Sequence, residues 1–407
     1  MIKITPFRAL RPTRDKANLV GSRNYVEYTE ESLQDKLNNN PYTFLHVINP
    51  DFHSPDRAVG QEKYEKVREA FLKFIDKGIF LEDKRDAFYI YQQQTENHLY
   101  TGIIGGASVE DYQNGKIKKH ENTLAPREKM FKEYLHHTGF NAEPVLLLHQ
   151  ELNEVSQLIG KYIDTRAEYE FSTTDKVVHY LWVVNDDEDI ASIQHAFSTL
   201  DEVYIADGHH RSASSALLGA ENEGKTPPLD SFMAFFLSET TIKIHEFNRL
   251  VKTLGDLSEE EFLERVSQRF SVVELKKDVY KPETLHEMSM YLKGHWYALY
   301  AKPGSFNPEN PVESLDCHIL SENLLGPVLG IEDLRTDNRV SFLPGDCGPE
   351  GLMEKVDSGE HAVGFGLLPV SVDQLKEVAD AEMVMPPKST YIEPKLRSGI
   401  TIYKLRD

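Results

Sequence analysis

The chain has 407 residues with a formal net charge of −21, and apolar residues make up 40% of it against 27% charged. That balance describes a globular protein of two or three structural units whose acidic surface repels nucleic-acid backbones and anionic membrane faces. Two cysteines exclude a disulfide scaffold, and no apolar run is long enough for a membrane span. The start, Met1-Ile2-Lys3-Ile4-Thr5, lacks an apolar signal core, so the cytoplasm is the expected location.

In chain order, Glu62 to Phe80 carries Tyr64, Val67, Phe71 and Phe74 at helical spacing. Phe88–Tyr91 and Leu99–Ile104 read as two strands joined by a polar turn. Glu128–His137 reads as a helix, Val145–Leu148 as a buried strand and Val177–Val184 as the strongest strand. Ile190–Thr199 is helical and Val203–Ala206 a short strand. A small-residue helix follows over Ser212–Ala220 and stops near Gly224. Phe232–Leu237 and Ile242–His245 are strands again. A unit boundary is expected at Gly255-Asp256, dividing residues 1–255 from 256–407. Beyond it come a charged helix from Glu259, a strand at Trp296–Tyr300 and a last strand over Gly399–Leu405. Strands and helices mix without a regular β-α-β rhythm, which predicts an α+β fold with mixed sheets.

The chemistry concentrates at Ala206-Asp207-Gly208-His209-His210-Arg211-Ser212. An apolar strand runs into a carboxylate, a glycine permits a tight turn, and a helix begins. The first amides of a helix have no intrahelical acceptor and lie at the positive end of its dipole, which favours a phosphate. Arg211 and the imidazoles His209 and His210 supply charge-assisted bonds, with Ser212 beside them. Asp207 is placed to take a proton from a hydroxyl. The plainer alternative is that Asp207 only caps the helix. His209 and His210 are adjacent and point apart, which argues against both binding one metal, and the spacing offers no metal motif.

Two further segments carry candidates. In Lys119-His120-Glu121-Asn122-Thr123, Glu121 is a candidate base and His120 a substrate contact, with Thr123 as a possible helix cap. In Met385-Pro386-Pro387-Lys388-Ser389-Thr390-Tyr391, followed by Pro394-Lys395-Leu396, Lys388 and Lys395 are candidate anion contacts. Arg8, in Pro6-Phe7-Arg8-Ala9-Leu10-Arg11-Pro12, is a further basic candidate.

These motifs resemble the uncharacterised family DUF 1015 over nearly the whole chain. Members often carry a Pro-Tyr-Asp-Val segment, and here the corresponding residues are Ser22-Arg23-Asn24-Tyr25-Val26, without the aspartate. More distantly, Asp207 to Arg211 is similar to the phosphate-binding motif of the ParB, sulfiredoxin and free-serine-kinase superfamily. That resemblance implies a ParB-like phosphate-binding core and a C-terminal α+β portion that returns Lys388 and Lys395 toward it. It also implies a nucleotide (ATP or ADP), Mg2+ and a small phosphorylated or hydroxylated substrate, with no nucleic-acid or membrane partner. In the serine kinases an aspartate acts near the substrate hydroxyl and an earlier glutamate is the base, roles that fall on Asp207 and, by chain order, on Glu121. The implied activity is a nucleotide-dependent phosphotransferase. The alternatives are a nucleotide-binding switch related to partition proteins, or a phosphatase or nucleotide hydrolase.

Overall fold

Nine strands, several of them continuous buried apolar runs, organise the first unit, and a computed structural model describes residues 1–221, 228–276 and 278–406 of the chain. In chain order the strands are β1 (Ile4–Thr5), β2 (Phe88–Gln94), β3 (Leu99–Ser108), β4 (Ile117–Lys118), β5 (Val145–His149), β6 (Tyr169–Ser172), β7 (Val178–Val184), β8 (Val203–Asp207) and β9 (Ser231–Ser238). They form one sheet in the order β4-β8-β5-β9-β3-β2-β7-β6, with β1 added on β3. β4 pairs parallel with β8 and β5 parallel with β9, while the other pairings are antiparallel. The fold is therefore α+β with a mixed sheet.

One face of this sheet presents Phe88, Ile90, Val145, Leu147, Val203, Ile205, Phe232 and Phe236, the period of two that a strand imposes. The longer helices of the unit are α1 (Gly60–Asp76), α2 (Ala125–Thr138), α3 (Asn153–Ile163), α4 (Asp187–Ser198) and α5 (His209–Glu221). Val155 and Leu158 of α3 and Ile193 and Phe197 of α4 close the core over that face. A second core gathers Val67, Phe71 and Phe74 of α1 with Leu10, Phe44, Phe80, Phe140 and Ile402. Gly224, expected to end α5, lies outside the described residues. Thr123 does not cap α2: Leu124 occupies that position, Pro126 opens the first turn, and the Thr123 hydroxyl donates to Glu128.

The chain divides into Met1–Ile242 with Pro394–Asp407 as one unit and Lys243–Glu393 as the other. The division thus falls after Ile242 rather than at the expected Gly255-Asp256. The physical reason is long-range pairing. Phe247–Val251 joins strands over Val340–Pro344 and Val363–Gly366, whereas Ile402 bridges Leu10 and Tyr403–Lys404 pairs with Phe140–Asn141. The last strand is accordingly shorter than Gly399–Leu405.

The second unit holds a wholly antiparallel sheet of β10 (Phe247–Val251), β11 (Phe270–Leu275), β12 (Glu287–Leu292), β13 (His295–Ala301), β14 (Val340–Pro344) and β15 (Val363–Gly366), in the order β11-β13-β12-β15-β10-β14. Trp296, Tyr291, Leu250, Leu352 and Val356 form a core within it. Of the two cysteines, Cys317 is buried and Cys347 exposed. Among the described residues no helix is long and apolar enough to cross a membrane.

His179, the second residue of β7, is fully buried between Tyr91 and Phe171, and its Nδ1 lies 2.8 Å from the Tyr91 hydroxyl. Burial, reinforced by the Arg397 charge, pushes its pKa down from 6.5 to about 3. The unfolded chain therefore binds a proton that the folded chain refuses. This stabilisation is complete above the unfolded pKa and is lost as pH falls from 6.5 toward 3. One such proton gives a slope of up to about 1.4 kcal/mol per pH unit. His179→Gln is expected to remove that component from the acid limb, read by urea unfolding at pH 7, 5 and 4.

Candidate functional site

The corner after β8 is shaped by an irregularity in its strand pairing. Ile205 faces Leu147 and Asp207 faces Leu146, so Ala206 is an extra residue and the strand bulges. A bulge re-aims the side chains that follow it. Gly208 then turns the chain with φ near +102°, a backbone that side-chain-bearing residues rarely adopt. Its carbonyl accepts from the Ser212 amide at 3.0 Å, and α5 starts at once.

Arg211 folds back over this turn. Its guanidinium donates to Asp207 Oδ2, to Glu143 Oε1 and, at 3.1 Å, to the Pro144 carbonyl. The other Asp207 oxygen, Oδ1, lies 3.9 Å from Lys395 Nζ. Asp207 stays 43% exposed while Arg211 is 21% exposed, so solvent reaches the carboxylate past the guanidinium that fixes it. Arg211, expected as a phosphate contact, thus spends two of its nitrogens on carboxylates. Ser212, expected beside it, is buried and turns its hydroxyl onto the carbonyls of Gly208 and His209 (3.3 and 3.0 Å), a common backbone contact of helical serines.

Glu143 stands out only in the structure. It accepts from Asn24 Nδ2 at 3.2 Å, from Ser398 Oγ at 3.2 Å and from Arg211. It therefore ties the N-terminal segment, the C-terminal segment and α5 together at one carboxylate. Glu27 is a second residue the sequence did not single out. It keeps solvent access, yet surrounding chain desolvates it enough to raise its carboxyl, against the pull of Lys395, Arg23 and Arg397. No motif marks either glutamate; an acidic residue before a proline or at the end of a single short turn carries no pattern.

The parallel pairing of β4 with β8 sets Val203 beside Ile117 and Tyr204 beside Lys118. Parallel neighbours leave a sheet at the same end, so the residues after β4 emerge next to those after β8. His120 and His209 accordingly meet edge to face, with ring centroids 4.5 Å apart. Glu121 Oε2 lies 3.4 Å from His209 Nδ1. His120 is 1% exposed and His209 4%. Both His120 nitrogens and His209 Nε2 are buried without a hydrogen-bond partner, an arrangement costing about 1–3 kcal/mol per group. Burial pushes His120 down to about 4, opposed by the Asp207 charge, and holds His209 well below the usual imidazole range. His210 points away toward Phe131, at 6.4 Å between centroids.

Two expected contacts are engaged differently. Arg8 pairs with Asp86 at 3.4 Å, both exposed, ahead of β2. Lys388 belongs to the second unit, where its ammonium sits 5.0 Å from the Phe247 ring centroid.

A mixed sheet whose strand end carries a guanidinium-bracketed carboxylate, a lysine and a helix start defines an α+β protein with one polar corner in its first unit. The chain belongs to the family described as "Protein of unknown function (DUF1015)", whose model matches residues 4–318. No curated protein matches it. Similar solved structures include a free serine kinase in complex with AMP, at 15% identity and TM-score 0.39, over 74% of this chain and 91% of that one. A conserved hypothetical protein from Pyrococcus furiosus aligns at 16% identity and TM-score 0.38, over 74% and 94%. SbnI with a C-terminal truncation, from Staphylococcus aureus, aligns at 13% and 0.40, over 74% and 87%.

Gly208 is the position where backbone and side-chain geometry coincide. A Cβ there meets Arg211 Nε at 2.9 Å, and the existing φ of +102° is strained for any residue that carries one. Gly208→Ala is expected to lose roughly 1–3 kcal/mol of stability and to displace Arg211 from Asp207, measured as a lower urea midpoint.

Proposed function

We propose that this chain transfers a phosphoryl group between a nucleotide, ATP or ADP, and the hydroxyl of a small metabolite of the serine or phosphoserine class. The observation that carries the reading is Asp207: a solvent-reachable carboxylate held by Arg211, with Lys395 on its other oxygen and the first turn of a 13-residue helix beside it. Phosphoryl transfer depends on positioning and charge stabilisation more than on covalent chemistry. The opening amides of α5, from His209 to Arg211, and Lys395 would hold the phosphate oxygens, with His210 and the Gly208 turn at their side. Asp207 would take the acceptor's proton in the forward direction and return it in reverse. Arg211 keeps that carboxylate oriented, and Glu143 keeps Arg211 in place. Glu121, half-exposed beside His209, is the second acid-base candidate, and the likeness of Asp207-Gly208-His209-His210-Arg211 to a phosphate-binding motif supports the same reading.

Mg2+ suits this corner through oxygen alone. Asp207 Oδ1 is the carboxylate oxygen that Arg211 leaves open, and Mg2+ commonly binds one or two carboxylates together with substrate phosphates. When bound it would supply charge neutralisation on the phosphates.

Asp207→Asn is expected to lower turnover by at least about a hundredfold, the scale of lost proton transfer, with the nucleotide-induced rise in melting temperature retained. The measurement is transfer of labelled phosphate from ATP to serine and related alcohols. Full turnover in the variant rejects the role. Label released only to water, with or without alcohols, makes the protein a hydrolase instead.

A further inference from the structure

We infer that His120, Glu121 and His209 form a binding site for one divalent transition-metal ion of the Zn2+ class. The site goes beyond the phosphotransferase reading and does not depend on it. One ligand atom from each residue lies within 4.8 Å of the other two. Ligands at about 2.1 Å from a shared tetrahedral ion sit about 3.4 Å apart, so closing the set needs side-chain rotation that shortens the ligand separations by up to about 1.5 Å.

The unsatisfied nitrogens are the independent observation. His120 is almost wholly buried and neither of its ring nitrogens meets a partner; His209 Nε2 is in the same condition. Buried imidazoles ordinarily find hydrogen bonds. His209 faces Glu121, a carboxylate that still reaches solvent, through Nδ1 at 3.4 Å, and the partnerless His120 ring meets the His209 ring edge to face. An ion has an entry side at Glu121 and two nitrogen donors behind it. Two imidazoles and one carboxylate leave coordination positions for water or a ligand oxygen, the open arrangement of non-structural sites.

The donor set selects the class of ion. Nitrogen ligands favour Zn2+, Co2+ or Fe2+ over Mg2+ and Ca2+, which take oxygen. Lys119 and Arg211 oppose a cation at His209 while Glu121 and the Asp207 charge favour one, so net charge does not decide the matter and the nitrogen donors do. The nitrogen donors set this site apart from the corner at Asp207 Oδ1, where the donor is a carboxylate oxygen with Lys395 Nζ 3.9 Å away.

The test uses the full chain, stripped with a chelator and titrated with Zn2+ and with Co2+ in the absence of nucleotide. One Zn2+ per chain is expected by calorimetry, and Co2+ should develop the visible ligand-field absorption of mixed nitrogen and oxygen ligation. Glu121→Gln, at a half-exposed position, should weaken Zn2+ at least about tenfold, the loss that even outer partners of metal ligands cause. His136→Gln, at an exposed position of α2, serves as a surface control and should leave binding unchanged. Absence of stoichiometric Zn2+ binding overturns the inference, as does a Co2+ spectrum no different from the hydrated ion or an affinity that Glu121→Gln does not alter. Asp207→Asn separates the two readings. Metal binding that survives in it while turnover is lost supports both, and turnover without metal binding removes only this one.

Discussion

The polar corner of the first unit depends on one guanidinium. Arg211 reaches back from the first turn of α5 to bind Asp207, four residues earlier, and Glu143, from the segment that leads into β5. Two carboxylates this close repel each other unless a cation stands between them. Arg211 is the right cation for the task, because its planar fork holds two acceptors in fixed directions where an ammonium would leave both free to turn. The helix start, the bulge at Ala206 and the Gly208 turn all serve to bring that fork to bear. Glu143 carries the constraint outward to Asn24 and Ser398, so segments from both ends of the first unit are anchored to the same carboxylate.

Beside this charged corner lies a quieter one. His120 and His209 are excluded from water and kept neutral, whereas Asp207 and Glu121 reach solvent. The two environments are neighbours because β4 and β8 run parallel at the edge of the sheet and end together. An oxygen-rich, cation-balanced site and a nitrogen-rich, desolvated one thus share a few residues of backbone. Chemistry that needs an unprotonated imidazole at neutral pH finds two here, both kept so by burial.

Much of the first unit was legible as pattern. Val145–Leu148, Val177–Val184, Val203–Ala206 and Phe232–Leu237 each lie within a residue or two of a strand, because buried strands read as apolar runs. The turn at Gly208 and the helix after Asp207 were legible for the same local reason. What the pattern did not carry is pairing. The unit boundary moved because Phe247–Val251 finds partners nearly a hundred residues later in the chain, and nothing in its own composition announces them. The roles of Arg211 and Ser212 shifted because a side chain's partner is chosen by the fold: one turned to Glu143, the other to its own helix. Thr123 was read as a cap from residue type, yet Pro126 sets the helix start and leaves the hydroxyl to Glu128. The meeting of His120 with His209 required knowing that two strand ends coincide.

The first unit is discontinuous along the polypeptide, interrupted from Lys243 to Glu393. Synthesis at the ribosome proceeds in one direction, so its sheet emerges long before its closing segment does. Until Pro394 and the residues after it are made, Ile402 cannot bridge Leu10, Ser398 cannot meet Glu143, and Lys395 is missing from the side of Asp207. The intervening unit has its own sheet and core and can fold in that interval, as domains generally do during translation. The contacts of the corner are therefore completed last, as a stitch drawn through an already folded body, and a nascent chain halted after the second unit carries the Asp207–Arg211 motif without Ser398 or Lys395 beside it.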